Sequence, residues 1–423
     1  MAAPAAPQTV PALVIGAGPA GLMAAEMIAR AGQPVVIAEA MPTPARKFLM
    51  AGKSGLNLTR AQPLPEFMAN IASTAGFPPP VPEGYFRRDK TAFGPDEVMA
   101  WARDLGTELF TGSTGRVFPV GMKASPLLRA WLARLAGLGA DLRTRWRWQG
   151  WQGAGGDQGD GDDNNGALIF ATPGGRQMLR AGVTVLALGG ASWPRLGSDG
   201  AWTGWLAARG VAIEPFRPAN MGLRVIWSAA MSRYFGAPVK GVAIRAGGQI
   251  SRGEWVITRH GIEGGGIYAV AAAIRDGAAA CVDLAPDLDD AALAARFARP
   301  RGRLSVGNWL RRVLGDATRV ALMLEWAPRP LPQTPRGWAG LARALPLIHA
   351  GPAGLERAIS SAGGIRLDQL SAGLELTAIP GTFAAGEMLD WEAPTGGYLL
   401  THCLGTGRHA GRAAAAYLAS ARI

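Results

Sequence analysis

The chain has 423 residues, 48% of them hydrophobic, with 59 Gly and 31 Pro. It is long enough for two or three packed units and too apolar to be intrinsically disordered. Its 43 basic and 31 acidic residues give a formal charge of +12, which alone points to nucleic acid or an anionic surface. Lysine stands only at Lys47, Lys53, Lys90, Lys123 and Lys240, and such an Arg- and Ala-rich chain reads as the coding bias of a GC-rich bacterial genome.

Cys281 and Cys403 form no C-x-x-C pair, and the four His include no H-E-x-x-H spacing. A disulfide scaffold, a Cys-ligated zinc site and a local redox dithiol are excluded, and no metal is expected.

The first charged residue is Glu26. No positive region precedes the apolar opening, as a signal peptide requires. Pro11, Gly16, Gly18, Pro19 and Gly21 interrupt it too often for a spanning helix. The expectation is a soluble, cytoplasmic protein that opens on a buried strand at 12–15, a glycine turn, and a helix over 19–31.

That turn, Gly16-Ala17-Gly18-Pro19-Ala20-Gly21, is a G-x-G-x-x-G between strand and helix. A second strand is predicted at 34–38, followed by Glu39, 18 residues beyond Gly21. In a dinucleotide-binding βαβ unit these positions have distinct tasks. Gly16 permits the tight turn, Gly18 lets backbone approach a pyrophosphate, and Gly21 lets helix and strand pack closely. The helix N-terminus faces the phosphates, and the carboxylate of Glu39, next to Ala40, takes the adenosine ribose.

An acid here suits NAD or FAD, and the following loop favours FAD. Residues 41–60 carry Arg46 and Lys47 near one end and Gly52, Ser54, Gly55 and Asn57 near the other. Small and polar residues of this kind allow a backbone to run beside the pyrophosphate and ribityl chain.

Further along, Arg143, Arg145 and Arg147 alternate with Trp146 and Trp148, a pattern that suits a β-strand or a basic aromatic patch. The Gly- and Asp-rich stretch 150–166 lacks calcium-loop spacing and reads as a flexible hairpin tip. A strand at 183–188 ends in Ala187, Leu188, Gly189 and Gly190, which would bring the chain back past the cofactor. Residues 215–285 hold short strand-like runs that suit a small β-barrel. Residues 287–347 switch to helical spacing, interrupted by a proline-rich linker at 328–335.

Near the C-terminus a strand runs into Gly386, Glu387 and Asp390. Gly396, Gly397, Tyr398 and Leu399 then open a small-residue helix over 400–419. Glu387 is placed for ribityl hydroxyls, and that helix would aim its N-terminus at the pyrimidine edge of a flavin.

In these blocks the chain resembles the bile-acid-reductase-like (BaiN/YhiN) flavoproteins, a bacterial branch of the two-dinucleotide-binding-domain FAD superfamily. After the fingerprint and acid, the family pattern continues with S-G-G-G-R-C-N-x-T-N, A-T-G-G-x-S-x-P-x-x-G-S, F-T-H-x-G-I-S-G-P, T-x-G-G-V and G-E-x-L-D…G-G-Y-N. Residues 51–60, 187–198, 257–265, 361–365 and 386–399 answer in the same order. Departures are Gly55 and Leu56 for Arg-Cys, Arg60 for the last Asn, Arg259 for His with His260 one place along, Glu263 and Gly265 for Ser and Pro, and Leu399 for the closing Asn.

The resemblance implies an α/β fold: a discontinuous, two-dinucleotide-binding-type FAD Rossmann domain with inserted β-barrel and helical subdomains. The boundaries are 1–195 and 353–423 for the FAD domain, 196–286 for the barrel and 287–352 for the helical insert. The expected function is an FAD-dependent oxidoreductase taking electrons from NAD(P)H to a small unsaturated or carbonyl-bearing substrate. Glu263, His260 and Tyr398 are the candidate catalytic groups, and Trp193, Trp202, Trp205 and Trp391 flank the cofactor motifs. The competing reading is a flavin- or nucleotide-binding regulatory or RNA-associated module. Bile-acid activity is not carried over, and oligomeric state is not legible.

Overall fold

The computed structural model describes residues 6–53, 55–75, 93–152 and 166–420. The chain divides into two compact units, Met1–Arg217 with Ser361–Ile423, and Pro218–Ser360.

The first unit is a Rossmann-type layer structure. Strand β1 (Gln8–Ile15) is buried along its second half and leads through the glycine turn into helix α1 (Pro19–Arg30). Pro19 presets the first helical turn, and Gly32 ends the helix at φ +75°. Strand β2 (Val35–Glu39) is wholly buried. Helix α2 (Arg46–Ala51) follows the loop after β2, and helix α3 (Ala124–Gly137) precedes strand β3 (Asp141–Thr144). Strands β4 (Arg147–Trp151), β5 (Leu168–Thr172) and β6 (Gly175–Leu186) complete the first half. Strand β7 (Thr382–Ala384) and helix α4 (Tyr398–Ser420) come from the C-terminal segment.

The sheet runs β3-β2-β1-β6-β5-β4, with β7 paired to β6. The β1–β2, β2–β3, β1–β6 and β6–β7 pairs are parallel, and β4–β5 and β5–β6 are antiparallel. Sequence segments almost 200 residues apart thus share one sheet: Thr382 lies opposite Thr184 and Ala384 opposite Leu186.

Two observations explain how α1 sits in this layer. Glu26 is 1% exposed. It is held by Arg30 at 2.9 Å, Trp131 Nε1 at 2.7 Å and Arg134 at 3.3 Å, so the buried charge is paired. On another face, small residues bring α1 and α4 together backbone to backbone. A Cβ on Gly407 would stand 2.2 Å from the Ala20 carbonyl oxygen, and one on Gly411 would stand 2.5 Å from that of Ala24.

In the second unit, the strands expected as a small barrel form two four-stranded sheets. One comprises Leu223–Arg224, Gly261–Glu263, Trp255–Thr258 and Pro238–Val239; the other comprises Gln249–Ser251, Ala243–Ala246, Ala280–Asp283 and Leu345–Pro346. Helices Asp290–Phe297, Val306–Leu314, Ala317–Trp326 and Pro335–Arg343 fill the stretch with helical spacing. Their apolar faces join the strands in one core that includes Trp255, Ile262, Phe297, Leu310 and Trp326. Asp283, fully buried, accepts from Arg245 at 3.0 Å and Arg343 at 3.1 Å.

Among the described residues no helix is long and apolar enough to cross a membrane.

Candidate cofactor-binding site

An open cleft of about 790 Å³ lies over the carboxyl end of β1, lined throughout by residues of the first unit. Each fingerprint glycine has its own physical reason. Gly16 sits at φ +102°, and a Cβ there would meet the Ala187 carbonyl oxygen at 2.3 Å. A Cβ on Gly21 would stand 1.8 Å from the Gly16 carbonyl oxygen. Gly18 differs: it has ordinary extended backbone, and nothing lies within 4 Å of the position a Cβ would take. Gly16 and Gly21 are therefore required by packing, and Gly18 leaves open space in the cleft wall. Helix α1 starts here with no side-chain cap and no acid in its first turn. No group of the helix itself offsets its partial positive charge.

Glu39 is 9% exposed at the end of β2. Its Oε2 accepts from the Ala17 N–H at 2.8 Å and its Oε1 from the Met41 N–H at 2.8 Å. Burial raises its carboxyl above the usual carboxylate range, against the opposing pull of those N–H groups and of Arg147 and Arg46. Ala45 docks the loop after β2 on the turn, its N–H donating to the Ala17 carbonyl at 2.9 Å. Ala40 and Arg46 also line the cleft, and the buried Arg46 Nε has no partner among the described residues.

Deeper in the cleft, Lys47 donates to Glu387 Oε2 at 2.6 Å and also to Ser192 Oγ. Glu387 Oε1 accepts from the Ser361 N–H at 3.0 Å. Gly386 takes φ +81° just before this carboxylate, and its N–H donates to Thr406 Oγ1 at 3.0 Å. Ala187, Leu188 and Gly189 form the opposite wall, and the Leu188 N–H points at Met388 Sδ, 3.1 Å away. Gly190 packs behind them, where a Cβ would meet Ser361 Oγ at 1.9 Å. Cys403 lines the cleft too; burial and the Glu387 carboxylate push its thiol up to about 12, so it is no thiolate.

A second group of predicted residues lies together at the start of α4 and does not line this cleft. Gly397, at φ +96°, packs on Thr59, whose Cα would be 2.6 Å from an added Cβ. Asn57, with its amide turned to satisfy both neighbours, donates to the Thr59 carbonyl at 2.9 Å and accepts from the Gly397 N–H at 3.2 Å. Gly396, at φ +118°, precedes them, and Leu399 packs behind. Gly52 and Gly55 press on Ala124 and Met122 at the other end of the loop. Ser54 lies outside the described residues. Asp390 donates its N–H to the Ile365 carbonyl at 2.9 Å, and burial with nearby Glu214 pushes its carboxyl up.

The three candidate catalytic groups are not brought together in the cleft. Tyr398 is 3% exposed, stacked on Phe67 at 4.6 Å, with its hydroxyl 3.3 Å from Gln62. Glu263 and His260 belong to the second unit, on the hairpin Trp255–Thr258 and Gly261–Glu263. Glu263 accepts from Arg357 at 2.6 Å, and His260 is exposed at the turn.

The tryptophans expected around the cofactor motifs act as supports. Trp202 Nε1 donates to the Gly189 carbonyl at 2.9 Å, and Trp205 packs edge-on to Trp148. The indoles that line the cleft are Trp146 and Trp148. Register accounts for them: Thr144 of β3 lies opposite Glu39, and the Trp146 N–H donates to the Glu39 carbonyl at 2.8 Å. The neighbouring arginines are engaged, Arg143 with Asp141 at 2.8 Å and Arg147 with Asp199 at 2.9 Å. The two tryptophans of the basic aromatic pattern are therefore part of the wall of this cleft.

His402, 3% exposed, has its ring centroid 4.4 Å from that of Trp391, and its Nε2 has no partner among the described residues. Burial lowers its pKa to about 3. The unfolded chain takes up this proton near the ordinary value of ~6.5, before the folded one does. His402 therefore costs no stability above that pH and destabilises progressively below it, by up to ~1.4 kcal/mol per pH unit. A His402→Phe variant is expected to lose part of the stability slope between pH 6 and 4. Urea unfolding at stepped pH measures it; an unchanged slope would show that the imidazole is protonated in the fold.

The comparisons agree with this geometry. Residues 10–413 match the model of the HI0933-like protein Rossmann domain. Among solved structures, the chain is similar to a 3-ketosteroid-Δ4-(5α)-dehydrogenase from Rhodococcus jostii RHA1 solved with 4-androstene-3,17-dione. That match has TM-score 0.53 and 18% identity and covers 96% of this chain and 97% of that one. A flavocytochrome c3 fumarate reductase gives TM-score 0.51 and 16% identity over 97% and 79% of the two chains. The E. coli quinol fumarate reductase FrdA gives 0.52 and 17% over 98% and 71%. The fold is thus a Rossmann-type fold shared with these enzymes. The chain belongs to the HI0933-like Rossmann-domain family.

Proposed function

We propose that this chain binds FAD in the cleft over β1 and transfers hydride between NAD(P)H and a small unsaturated or carbonyl-bearing substrate. The observation that carries the reading is Gly18: the turn is closed by packing at Gly16 and Gly21 and open only where a pyrophosphate would approach. When bound, the flavin supplies hydride transfer through its N5.

The chain's own residues bind and orient. The α1 N-terminus and the unpartnered Arg46 Nε offer positive charge to the pyrophosphate. Glu39 accepts from the adenosine ribose, and Trp146 and Trp148 bound that end of the cleft. Lys47 and Ser361 hold the Glu387 carboxylate in one orientation, ready to accept from ribityl hydroxyls. Gly52, Gly55 and Asn57 with 396–399 flank the ring, and Asp390 stands in the segment that leads to them. The substrate proton is assigned to Glu263 or His260, with Tyr398 fixing the start of α4. The motif order favours the bile-acid-reductase-like branch of the family.

Purified protein is expected to show flavin absorption near ~450 nm, a property of the ring itself, and to bleach anaerobically with NADH or NADPH. No flavin band even after adding FAD would overturn the cofactor assignment. A bound flavin that neither nicotinamide reduces would overturn the proposed donor.

Glu39→Ala is expected to weaken FAD at least about tenfold, through loss of charge-assisted hydrogen bonds worth ~1.5–3 kcal/mol each. Equilibrium dialysis checks this, and unchanged occupancy would show that the ribose lies elsewhere.

A further inference from the structure

The second unit contains a hollow that none of the preceding chemistry uses. With the open solvent at its mouth it spans about 950 Å³, and it lies where helices Asp290–Phe297, Val306–Leu314 and Pro335–Arg343 meet the proline-rich segment. Its floor is aromatic: Phe297, Trp309 and Trp338 are 2%, 7% and 7% exposed. Phe297 and Trp338 stack at 6.2 Å, and Trp309 meets Trp338 edge-on at 5.4 Å. The floor also fixes the rim, because Trp309 Nε1 donates to the Arg299 carbonyl at 3.0 Å.

The rim is basic and uncompensated. Arg299 and Arg301 are exposed beside the hollow, and among the described residues neither is in an ion pair. Composition spreads the +12 over the chain, but the stretch from Arg296 to Arg343 holds ten arginines and two acids, Asp316 and Glu325; of the ten, Arg343 is paired with Asp283 and Asp290. Both acids are engaged elsewhere. Asp316 caps the helix Ala317–Trp326, and Glu325 accepts from the Ser228 N–H at 2.7 Å. Two nine-residue helices begin at the hollow, with Val306 and Pro335 lining it, which adds to the positive potential.

We propose that this hollow binds a phosphorylated small molecule of mononucleotide class, its phosphate held by Arg299 and Arg301 and its flat ring laid against Leu331 and the Trp309–Trp338 floor. A planar guanidinium pair recognises phosphate oxygens with paired N–H donors. The open volume exceeds what a bare phosphate fills, and the apolar floor gives a ring its own contact. The site is independent of the FAD cleft and stands whether or not that cofactor assignment holds.

The test is calorimetric titration of the full chain with AMP, in excess FAD so that the cleft over β1 is filled. Wild type is expected to bind AMP at one site, at least tenfold more tightly than inorganic phosphate. The double variant Arg299→Ala/Arg301→Ala is expected to weaken AMP at least tenfold with unchanged circular dichroism. Arg311→Ala/Arg312→Ala, which removes two exposed charges outside the hollow, is expected to leave AMP binding unchanged. No AMP binding at millimolar concentration would overturn the proposal. So would equal affinity for inorganic phosphate, or equal weakening by the two double variants.

Discussion

A Gly18→Leu variant is expected to fold as stably as the parent chain and to purify without its flavin. The two halves of that expectation come from one geometric fact. Gly18 has extended backbone at φ −79°, with no atom within 4 Å of the position of an added Cβ, so a side chain can leave the backbone there without strain. The side chain instead enters the open space at Gly18, where the proposed pyrophosphate would lie. Affinity is expected to fall at least about 100-fold, or ~2.7 kcal/mol, while the thermal midpoint of FAD-free protein stays within ~1 °C. Gly21→Val is the contrasting change, because its Cβ lies 1.8 Å from the Gly16 carbonyl oxygen and the turn itself must open. That variant should lose stability and flavin together. A Gly18→Leu protein that still carries stoichiometric FAD would place the pyrophosphate away from this turn.

The second large effect concerns α1 and α4. Gly411→Leu puts a branched side chain where the Ala24 carbonyl oxygen stands 2.5 Å from the new Cβ. Backbone of a neighbouring helix cannot rotate aside as a side chain does, so the two helices must separate. Overpacking of a tight core costs ~1–3 kcal/mol and more where backbone must move. For a unit of this size ~3 kcal/mol corresponds to a fall of roughly 6–12 °C in thermal midpoint. Differential scanning calorimetry on flavin-free protein measures it without interference from the cofactor. An unshifted transition would mean that the helices can part at no cost. Because α4 also supplies Thr406, which accepts from the Gly386 N–H beside Glu387, flavin affinity should fall with stability.

The glycine turn and Glu39 were legible because they report backbone geometry directly: spacing, strand before and helix after are all local. The same is true of Gly386 and Glu387 as a strand-end pair. What the sequence does not show is which groups meet them. Lys47 and Glu387 are 340 positions apart, and only the parallel pairing of β7 with β6 brings the two segments together. Trp146 and Trp148 illustrate a different difficulty. Their alternation with arginine was visible, but their destination depends on the register of β3 against β2, which sets Thr144 opposite Glu39. Recognising 141–144 as the third parallel strand would have found them. The barrel expectation rested on runs rich in strand formers. Segments of two to four residues cannot decide from their own pattern how sheets close, since that choice lies with the helices filling their common core.

Strands Ile213–Ala219 and Ser360–Ile365 form a two-stranded sheet, and the Arg366 N–H donates to the Ala212 carbonyl at 3.1 Å. The chain therefore leaves the first unit and re-enters it at neighbouring points of one ladder. In evolutionary terms the stretch between them is a cassette: material can be gained, lost or exchanged there without shifting any register of the nucleotide-binding sheet. The inserted stretch can then diverge while the sheet that it interrupts is inherited unchanged.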